Sequence, residues 1–306
     1  FVLSFRLAMS NGDILLCSRD SHPELFKAVC GGMGLIGVIL DVKLKLKPIS
    51  SSYVQQTIIK TANLEETIEA FKKNSQASYS VAWIDCFAKG NDTGRGIVSL
   101  GEHAENNDYH WTSSKPIALP NYFPGFLLNR YSGKLFNSMY YRLNKSTREK
   151  QLVDLNQFFY PLDGLKNWNK LYGGNGFLQY QFVLPFENGV EGLSKILELI
   201  SEYEKGAYLA VLKIFGESND NYLSFPMPGF TLAVDFKIEP ELFSFLETLD
   251  KIVVAYQGRF YLAKDSRLSQ NIFDQGYPKV NKFRQLRKKY GLCNKFQSYQ
   301  SRRLAL

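Results

Sequence analysis

The sequence predicts a mixed α+β protein in which helices cover one face of an antiparallel sheet. Two patterns support this class. Short segments such as 53–60 alternate apolar and polar residues, as strands with one solvated face do. Longer segments repeat apolar residues every three or four positions, as amphipathic helices do, and 190–203 and 240–255 are the strongest cases. From residue 48 onward the two patterns follow one another as strand, helix and strand.

The beginning of the chain predicts a hairpin followed by a helix. Apolar residues occupy every second position from Phe1 to Leu7, which indicates a β-strand without any preceding segment. Asn11-Gly12 is a hairpin signal. Ser21 and Glu24 have the spacing of a capping box at the start of a helix over 23–30. The segment has neither an initiator methionine nor a secretion signal, so we expect further sequence upstream.

Composition indicates an ordinary globular protein and argues against several kinds of site. Of 306 residues, 45% are hydrophobic and 22% are charged, and no apolar run is long enough to span a bilayer. The four cysteines lack the spacing of a zinc site or a disulfide framework, and the three histidines are scattered, so we expect no metal. The net charge of +8 fits lysines on solvated faces, and we expect no nucleic-acid partner.

Residues 102–135 are rich in asparagine, proline and aromatic residues. We expect them to form a long excursion with little regular structure. Such a loop in a compact domain is usually functional or mobile. It could shape an access path for a lipid, which the sequence leaves open.

Gly32, Gly34 and Gly37 match the G-x-G-x-x-G pattern of dinucleotide-binding turns. That fingerprint requires a strand before the glycines and a helix after them, whereas the order predicted here is the reverse. A nicotinamide-binding Rossmann unit is therefore disfavoured. The glycines could form a tight turn that needs positive φ. The interpretation we prefer is a bare backbone against which a large flat ligand, such as a flavin, can lie.

Seven segments, in order and spread over nearly the whole chain, together suggest a family. They are CGGMGLIG at 30–37, LPNYFP at 119–124, QFFYPLD at 157–163, GFLQYQF at 176–182, LSFPMPG at 223–229, YLAKDSR at 261–267 and SRRLAL at 301–306. Jointly they resemble the decaprenylphosphoryl-ribose 2'-oxidase family of vanillyl-alcohol-oxidase-type flavoproteins. The resemblance covers the C-terminal two-thirds of that family's length.

The resemblance implies a discontinuous architecture. Residues 1–47 and 258–306 would belong to an FAD-binding domain of the vanillyl-alcohol-oxidase type. Residues 48–257 would form a substrate domain, with an antiparallel sheet covered by helices. The loops that bind the FAD pyrophosphate would lie upstream. Relatives in this subfamily bind FAD noncovalently, and noncovalent FAD is therefore the expected cofactor.

The resemblance also implies roles for individual residues. Ile39 and Tyr261 match flavin-contacting positions, in addition to the three glycines above. Lys264 matches a catalytic pocket lysine beside the isoalloxazine, where its charge would stabilise reduced flavin. The matching substrate-binding positions are Gln179, Gln181, Lys213, Phe215, Thr231, Phe159 and Trp83.

Some of these residues have simpler explanations when taken singly. Lys264 could form a surface ion pair with Asp265, and Trp83 and Phe159 could be core residues. Gln179 and Gln181 could lie on a solvated strand face, although residues two apart on a strand do point the same way. We retain the functional assignments. Some of these residues lie inside the family segments, and the others match the family at positions outside them.

The implied reaction is oxidation of a secondary sugar hydroxyl. The nearest match is the 2'-OH of a polyprenyl-phosphoryl ribose, oxidised to the 2'-keto form as the first half of an epimerisation that leads to a cell-wall arabinan precursor. The implied partners are an electron acceptor such as quinone or oxygen and a short-chain reductase. The implied location is cytoplasmic or at the cell envelope, peripheral to the membrane.

Two alternatives stay open. One is an FAD-linked oxidase of a soluble sugar or aldonolactone, and the other is a truncated flavoprotein that acts as a binding module. The sequence departs from the mycobacterial enzymes at Ala233, where they have a pocket cysteine, and at Thr231, where they have asparagine. These departures leave turnover possible, but they put the fit to the sugar in doubt.

Overall fold

The computed structural model describes residues 1–110, 116–118, 128–147, 149–203 and 207–306, with the side chains of all but 207 and 208. Within these residues the strands form sheets of three, eight and two strands. The three-stranded sheet is antiparallel in the order β2-β1-β3. Its strands are β1 (Val2–Ala8), β2 (Ile14–Ser18) and β3 (Val38–Leu44), and helix α1 (Pro23–Val29) precedes β3. The predicted order of helix, glycine segment and strand is therefore confirmed.

Helix α1 begins without the capping box that the spacing predicts. Its N-cap is His22, which lies in the left-handed region at φ 50° and makes no capping hydrogen bond through its side chain. Ser21 Oγ donates instead to Leu16 O at 3.0 Å. The prediction was wrong because the Ser21 hydroxyl, which the cap requires, is hydrogen-bonded to the backbone of the adjacent strand β2.

The eight-stranded sheet has the order β13-β10-β12-β11-β5-β6-β4-β8, and each neighbouring pair is antiparallel. Its strands are β4 (Tyr53–Thr61), β5 (Tyr79–Ile84), β6 (Gly96–His103), β8 (Gln151–Asp154), β10 (Phe177–Pro185), β11 (Ala207–Phe215), β12 (Gly229–Lys237) and β13 (Arg259–Phe260). The antiparallel sheet predicted for the middle of the chain is confirmed.

Three helices cover one face of this sheet. They are α2 (Leu64–Lys73), α5 (Phe186–Tyr203) and α6 (Leu242–Ala255). The apolar stripe of α5 includes Leu193 and Ile196, both fully buried, which pack towards Phe182 and Leu232 in the same hydrophobic core. Because the stripes of the helices and the apolar face of the sheet bury each other, this layer holds the main core.

The predicted excursion is more regular than expected. Strand β6 reaches His103, and helix α3 (Arg130–Leu143) begins inside the range, where Asn129 and Ser132 form a capping box. Helix α4 (Leu155–Phe159) follows β8, and two short strands, β7 (Ile117–Ala118) and β9 (Leu165–Lys166), pair in parallel. The LPNYFP segment at 119–124 lies outside the described residues.

After β13 the chain returns to the first sheet. Its helices are α7 (Gln270–Gly276), α8 (Val280–Lys289) and α9 (Tyr299–Arg303). The buried Arg287 donates from Nε to Leu35 O at 3.2 Å. Lys289 pairs with Glu24 of α1 at 2.7 Å. These contacts hold the C-terminal helices against α1 and the glycine segment.

Candidate active site

The eight-stranded sheet carries polar side chains on the face opposite α2, α5 and α6. Residues paired across strands share a face, so the register identifies the members of this face. Gln181 pairs with Ala233, Ala233 with Val211, and Val211 with Trp83. Counted by the same register, the face includes Gln179, Gln181, Thr231, Asp235, Lys213, Phe215 and Trp83. Six of the seven predicted substrate-binding residues therefore lie on one face of the sheet. We call this the polar face.

Asp235 is a buried carboxyl on the polar face that the sequence analysis did not single out. It is 1% exposed and accepts a hydrogen bond from Gln179 Nε2 at 2.7 Å. Among the described residues, its Oδ2 has no hydrogen-bond partner. Burial raises the pKa of Asp235 to about 6, although the hydrogen bond from Gln179 and the charge of Lys264 both lower it. An acidic residue at an inward position of a strand was the signal that could have found it.

The two glutamines are held by different partners. Gln181 Nε2 donates to Thr231 Oγ1 at 3.2 Å, and Thr231 Oγ1 donates to Phe182 O at 2.8 Å. Thr231 is 1% exposed, so its hydroxyl supports Gln181 from within the sheet. A carboxylate can only accept hydrogen bonds, so the Nε2 group of Gln179 must point towards Asp235. Gln179 Oε1 therefore points away from Asp235.

Lys264 lies in a 3-10 turn whose neighbours are firmly held. Asp265 pairs with Arg303 at 2.7 Å and accepts from the backbone N–H of Leu268 at 2.8 Å. Burial raises the pKa of Asp265, but these hydrogen bonds outweigh burial and lower it overall. Gln300 Nε2 donates to Leu262 O at 2.7 Å, which fixes the start of the turn. Asp265 is therefore engaged by Arg303, and the exposed ammonium of Lys264 acts on Asp235 instead.

A small hollow of about 20 Å³ brings four of the predicted site residues together. Lys264 and Tyr261 line it from one side, and Gln179 and Gln181 line it from the sheet. The backbone fixes this approach, since Tyr261 N donates to Gln181 O at 2.9 Å. The hollow joins the return segment to the polar face.

A larger cavity of about 460 Å³ lies beside the three-stranded sheet. Ile39 lines it from β3, and Tyr261 lines it from the return segment. Phe225 stacks on Tyr261 with ring centroids 4.7 Å apart, and Phe215 meets Phe225 edge-on at 5.5 Å. This aromatic row connects the cavity with the polar face. Phe225 was missed by residue-level reasoning, although it lies in the LSFPMPG segment.

The three predicted glycines lie beside this cavity without lining it; Cys30, Gly31 and Met33 form that part of the wall. A Cβ at Gly32 would lie 1.9 Å from Ala28 O, and one at Gly37 would lie 2.6 Å from Ala8 O. Gly34 has φ +73°, which side chains rarely adopt. Close packing and turn conformation therefore account for these glycines within the protein itself.

The two predicted aromatic wall residues lie farther along the polar face. Trp83 meets Tyr140 of α3 edge-on at 4.7 Å, and Phe159 meets Tyr79 at 4.7 Å. At about 4.8 Å per strand, Trp83 on β5 is roughly 14 Å from Gln181 on β10. Both rings are half-buried, and the strand that carries Trp83 lies three strands away from β10 and its hollow.

The described part of the chain has neither a metal-binding cluster nor a helix that could span a membrane. No group of three or more histidine, cysteine or acidic side chains there could hold a metal ion. In the same residues, no helix has the length and apolar character that crossing a bilayer requires.

Comparison with known proteins identifies the family. No protein-family model matches the chain. Over its whole length the chain is 34% identical to decaprenylphosphoryl-beta-D-ribose oxidase of Mycolicibacterium smegmatis, and it covers 68% of that protein. The chain belongs to the decaprenylphosphoryl-β-D-ribose oxidase family. It is also 28% identical over its whole length to an uncharacterized protein in the mprA 5'region of Streptomyces coelicolor, of which it covers 86%.

Solved structures share the fold of this oxidase-family chain. A BBE-like 1 protein of Physcomitrella patens superposes with a TM-score of 0.60 at 11% identity, over 97% of this chain and 64% of that chain. Xylooligosaccharide oxidase from Myceliophthora thermophila C1, in complex with xylobiose, gives 0.58 at 12% identity, over 94% and 63%. The chain thus spans just under two thirds of these structures. The predicted fold class and the predicted class of FAD-linked oxidoreductase are confirmed.

The larger cavity fits the ring system of the flavin that this oxidase family uses. Its volume of about 460 Å³ lies in the usual range for small-molecule sites. Its wall is mainly apolar and aromatic, with Ile39, Val42 and Phe225 among its members, which suits a flat fused ring. Tyr261 belongs both to this wall and to the hollow below Lys264. A flavin ring held here would therefore lie beside the polar face.

Proposed function

We propose that the protein is an FAD-dependent oxidoreductase that oxidises the 2'-hydroxyl of a polyprenyl-phosphoryl ribose to the 2'-keto form. The reaction is the first half of an epimerisation, which a separate short-chain reductase completes. The mycobacterial relative is a decaprenylphosphoryl-beta-D-ribose oxidase, which supports the choice of sugar. The observation that carries the proposal is the hollow where Lys264, Tyr261, Gln179 and Gln181 meet beside the flavin-sized cavity.

The proposal divides the chain between cofactor and substrate. Residues 1–47 and 258–306 hold the flavin ring, and residues 48–257 hold the sugar. Ile39 and Tyr261 contact the ring, and the turn that contains Gly32, Gly34 and Gly37 shapes the backbone beside it. FAD is bound noncovalently, and when bound it would accept the hydride from the carbinol carbon, while the hydroxyl proton would pass to a base or to water.

The polar face supplies the groups that orient the sugar. Gln179 and Gln181 bind its hydroxyls, and Asp235 keeps Gln179 Oε1 available as an acceptor. The ammonium of Lys264 stabilises negative charge that develops next to the hollow. Lys213 is exposed on the same face and binds the phosphate of the substrate. The remaining contacts are assigned to Phe215, Thr231, Phe159 and Trp83.

The other partners follow from the reaction. Two electrons must leave the reduced enzyme, so an acceptor such as a quinone or oxygen is required. A polyprenyl substrate resides in a membrane, so the protein works in the cytoplasm or at the cell envelope, at the membrane surface.

Anaerobic reduction of the bound flavin tests this function. We expect polyprenyl-phosphoryl ribose to bleach the visible flavin band of the full-length holoenzyme. Reoxidation of that enzyme by a quinone or by oxygen then identifies the acceptor. Bleaching with free sugars or aldonolactones alone would replace the proposed substrate by a soluble one. If the purified full-length protein contained no flavin, the remaining interpretation would be a binding module without enzymatic activity.

A lysine pair sharpens the same experiment. Lys264→Met is expected to slow the bleaching about 100-fold, since it removes one preorganised charge next to the reacting groups. Lys251→Met is the matched control, because Lys251 is exposed on α6, on the other side of the sheet. Both variants should hold a full complement of FAD by absorbance. Bleaching of Lys264→Met at the wild-type rate would show that its role is wrongly assigned.

A further inference from the structure

Helix α3 exposes a continuous apolar stripe. Tyr131, Leu135, Met139 and Leu143 follow one another at four-residue intervals and therefore lie on one side of the helix. Their exposed fractions lie between 52% and 75%, and Phe136 beside them is 58% exposed. An exposed face this apolar is unlike the surface of a helix that meets only water.

The opposite side of α3 is anchored, so the orientation of the stripe is fixed. Asn137 is fully buried and donates from Nδ2 to Asp85 Oδ1 at 3.0 Å. Tyr141 OH donates to Thr61 O at 3.0 Å. The buried residues of α3 are Gly133 and Asn137. Tyr140 and Tyr141 also face the protein, whereas the large aliphatic residues face outward. This inversion of the usual pattern indicates that the outer side binds something apolar.

The charged residues of α3 and of the chain on either side of it are all basic. Between Asp108 and Glu149 the sequence has six basic residues and no acidic residue. Arg130, Lys134 and Arg142 lie on α3 itself and are exposed. The surface of α3 therefore combines apolar side chains with a local excess of positive charge.

We propose that α3 docks on the surface of a bilayer that contains anionic lipids. A helix with a large apolar face and basic flanks lies in the plane of the interface, where its apolar side chains enter the acyl boundary and its cations meet the headgroups. Charge complementarity selects this occupant over a neutral protein surface. The docking leaves the helix parallel to the membrane and does not make it a spanning segment.

The position of α3 gives the docking a consequence for the site. The helix runs along one end of the sheet: Lys237 at the end of β12 donates to Leu128 O at 3.2 Å, and Tyr141 reaches Thr61 at the end of β4. Tyr140 rests on Trp83 of the polar face. A bilayer bound to the outer stripe therefore lies at one end of the polar face. This inference rests on the proposed work at a membrane surface and names the element that binds there, but it does not depend on the identity of the sugar.

Vesicle co-sedimentation of the full-length holoenzyme tests the docking. We expect binding to vesicles of phosphatidylcholine and phosphatidylglycerol in equal parts, and weaker binding to phosphatidylcholine alone. The pair Lys134→Gln and Arg142→Gln should weaken binding to the anionic vesicles roughly 25-fold, at roughly fivefold for each cation. Leu135→Ser with Met139→Ser should weaken binding to both kinds of vesicle by at least roughly tenfold.

Matched controls lie on the helical layer of the other sheet face. Lys72→Gln with Lys251→Gln removes two exposed charges there, and Phe243→Ser removes an exposed apolar side chain. These variants should bind vesicles as the wild type does. Absence of wild-type binding, or equal losses in the control variants, would overturn the proposal.

A second readout separates the bilayer from a second copy of the chain. If Leu135→Ser with Met139→Ser converts a dimer into a monomer in light scattering and leaves vesicle binding unchanged, the stripe is a self-association surface and the proposal fails. Flavin absorbance and thermal unfolding of each variant establish that it is folded. Vesicle binding needs no turnover, so its failure is distinguishable from failure of the proposed reaction.

Discussion

The two faces of the eight-stranded sheet are built from the same strands, yet they differ in what covers them. Under α2, α5 and α6, Phe182, Leu212 and Leu232 are all 0% exposed. Their sequence neighbours on the polar face include Gln181, which is half-buried, and Lys213, which is exposed. Because side chains alternate, one strand can carry stability on one face and binding chemistry on the other. Substitutions at adjacent positions should therefore have effects of different kinds.

The largest expected effect on stability comes from the helix-covered face. Phe182→Ala should lower the free energy of unfolding by about 3–5 kcal/mol, because it leaves a cavity in a packed core. Gln181→Ala, one residue away, should lower it by only about 1 kcal/mol, the value of one hydrogen bond. Urea unfolding followed by far-UV circular dichroism measures both.

Kinetics complete this comparison. Gln181→Ala should raise KM for the sugar, while the folded fraction of Phe182→Ala should keep the wild-type KM. Equal losses of stability in the two variants would contradict the proposal that one face provides stability and the other binds the substrate.

The family resemblance supplied most residues of the polar face, and alternation, which is a local pattern, predicted which of them point the same way. Gln179 and Gln181 were expected to point the same way because they lie two residues apart, and the register confirms this. Asp235 escaped notice because its burial and its bond to Gln179 depend on β10, more than fifty residues earlier. The large cavity was not predicted for a similar reason, because segments that are distant in the sequence line it together.

Helix α3 shows a second limit of sequence reasoning. Pattern-based prediction assumes that the inward face of a helix is apolar. The buried residues of α3 are Gly133 and Asn137, and its large apolar residues point outward. The segment consequently resembled an irregular excursion. Strands β7 and β9 span two residues each, too few for alternation to appear.

An intermediate effect is expected from the buried carboxyl of the polar face. Burial raises the pKa of Asp235 from 3.8 to about 6. Between these values the folded protein keeps a proton that the unfolded chain has released, so stability falls as pH rises and stays lower above the folded pKa. This shift costs roughly 3 kcal/mol near neutral pH, at about 1.4 kcal/mol per pH unit. Asp235→Asn should recover up to that amount near pH 7 and match the wild type near pH 4, as unfolding at a series of pH values can measure.

Asp250 provides the matched control for this prediction. It is also buried, at 2% exposure, but it pairs with Arg267 and accepts from Tyr180 OH at 3.0 Å. Burial raises the pKa of Asp250 as well, yet Asp250→Asn should destabilise the protein near pH 7, by about 3 kcal/mol, because it leaves a buried guanidinium unpaired. Stabilisation by Asp235→Asn together with destabilisation by Asp250→Asn would support an unpaired carboxyl on the polar face. Destabilisation by Asp235→Asn would contradict it.

The smallest expected change in stability belongs to a test of reagent access to the two faces of the sheet. The test needs a variant of the protein that has few reactive thiols. Cys30→Ser and Cys293→Ser remove the two cysteines that are not buried. Burial raises the pKa of Cys17 and of Cys86, so these two stay protonated and react slowly. In this background, labelling reports the introduced thiol.

Ala233 and Ala210 lie on the adjacent strands β12 and β11 but on opposite faces, which makes their cysteine variants a direct test of access. Ala233 is half-buried on the polar face, whereas Ala210 is 0% exposed beneath the helices. Ala233→Cys should cost less than about 0.5 kcal/mol, react readily with a maleimide, and be protected by the sugar substrate. Ala210→Cys should react only when the protein unfolds. If the substrate fails to protect Ala233→Cys, the sugar binds away from the middle of the polar face. Equal labelling of both variants would mean that the helical layer does not seal its side of the sheet, and the contrast between the two faces would be lost.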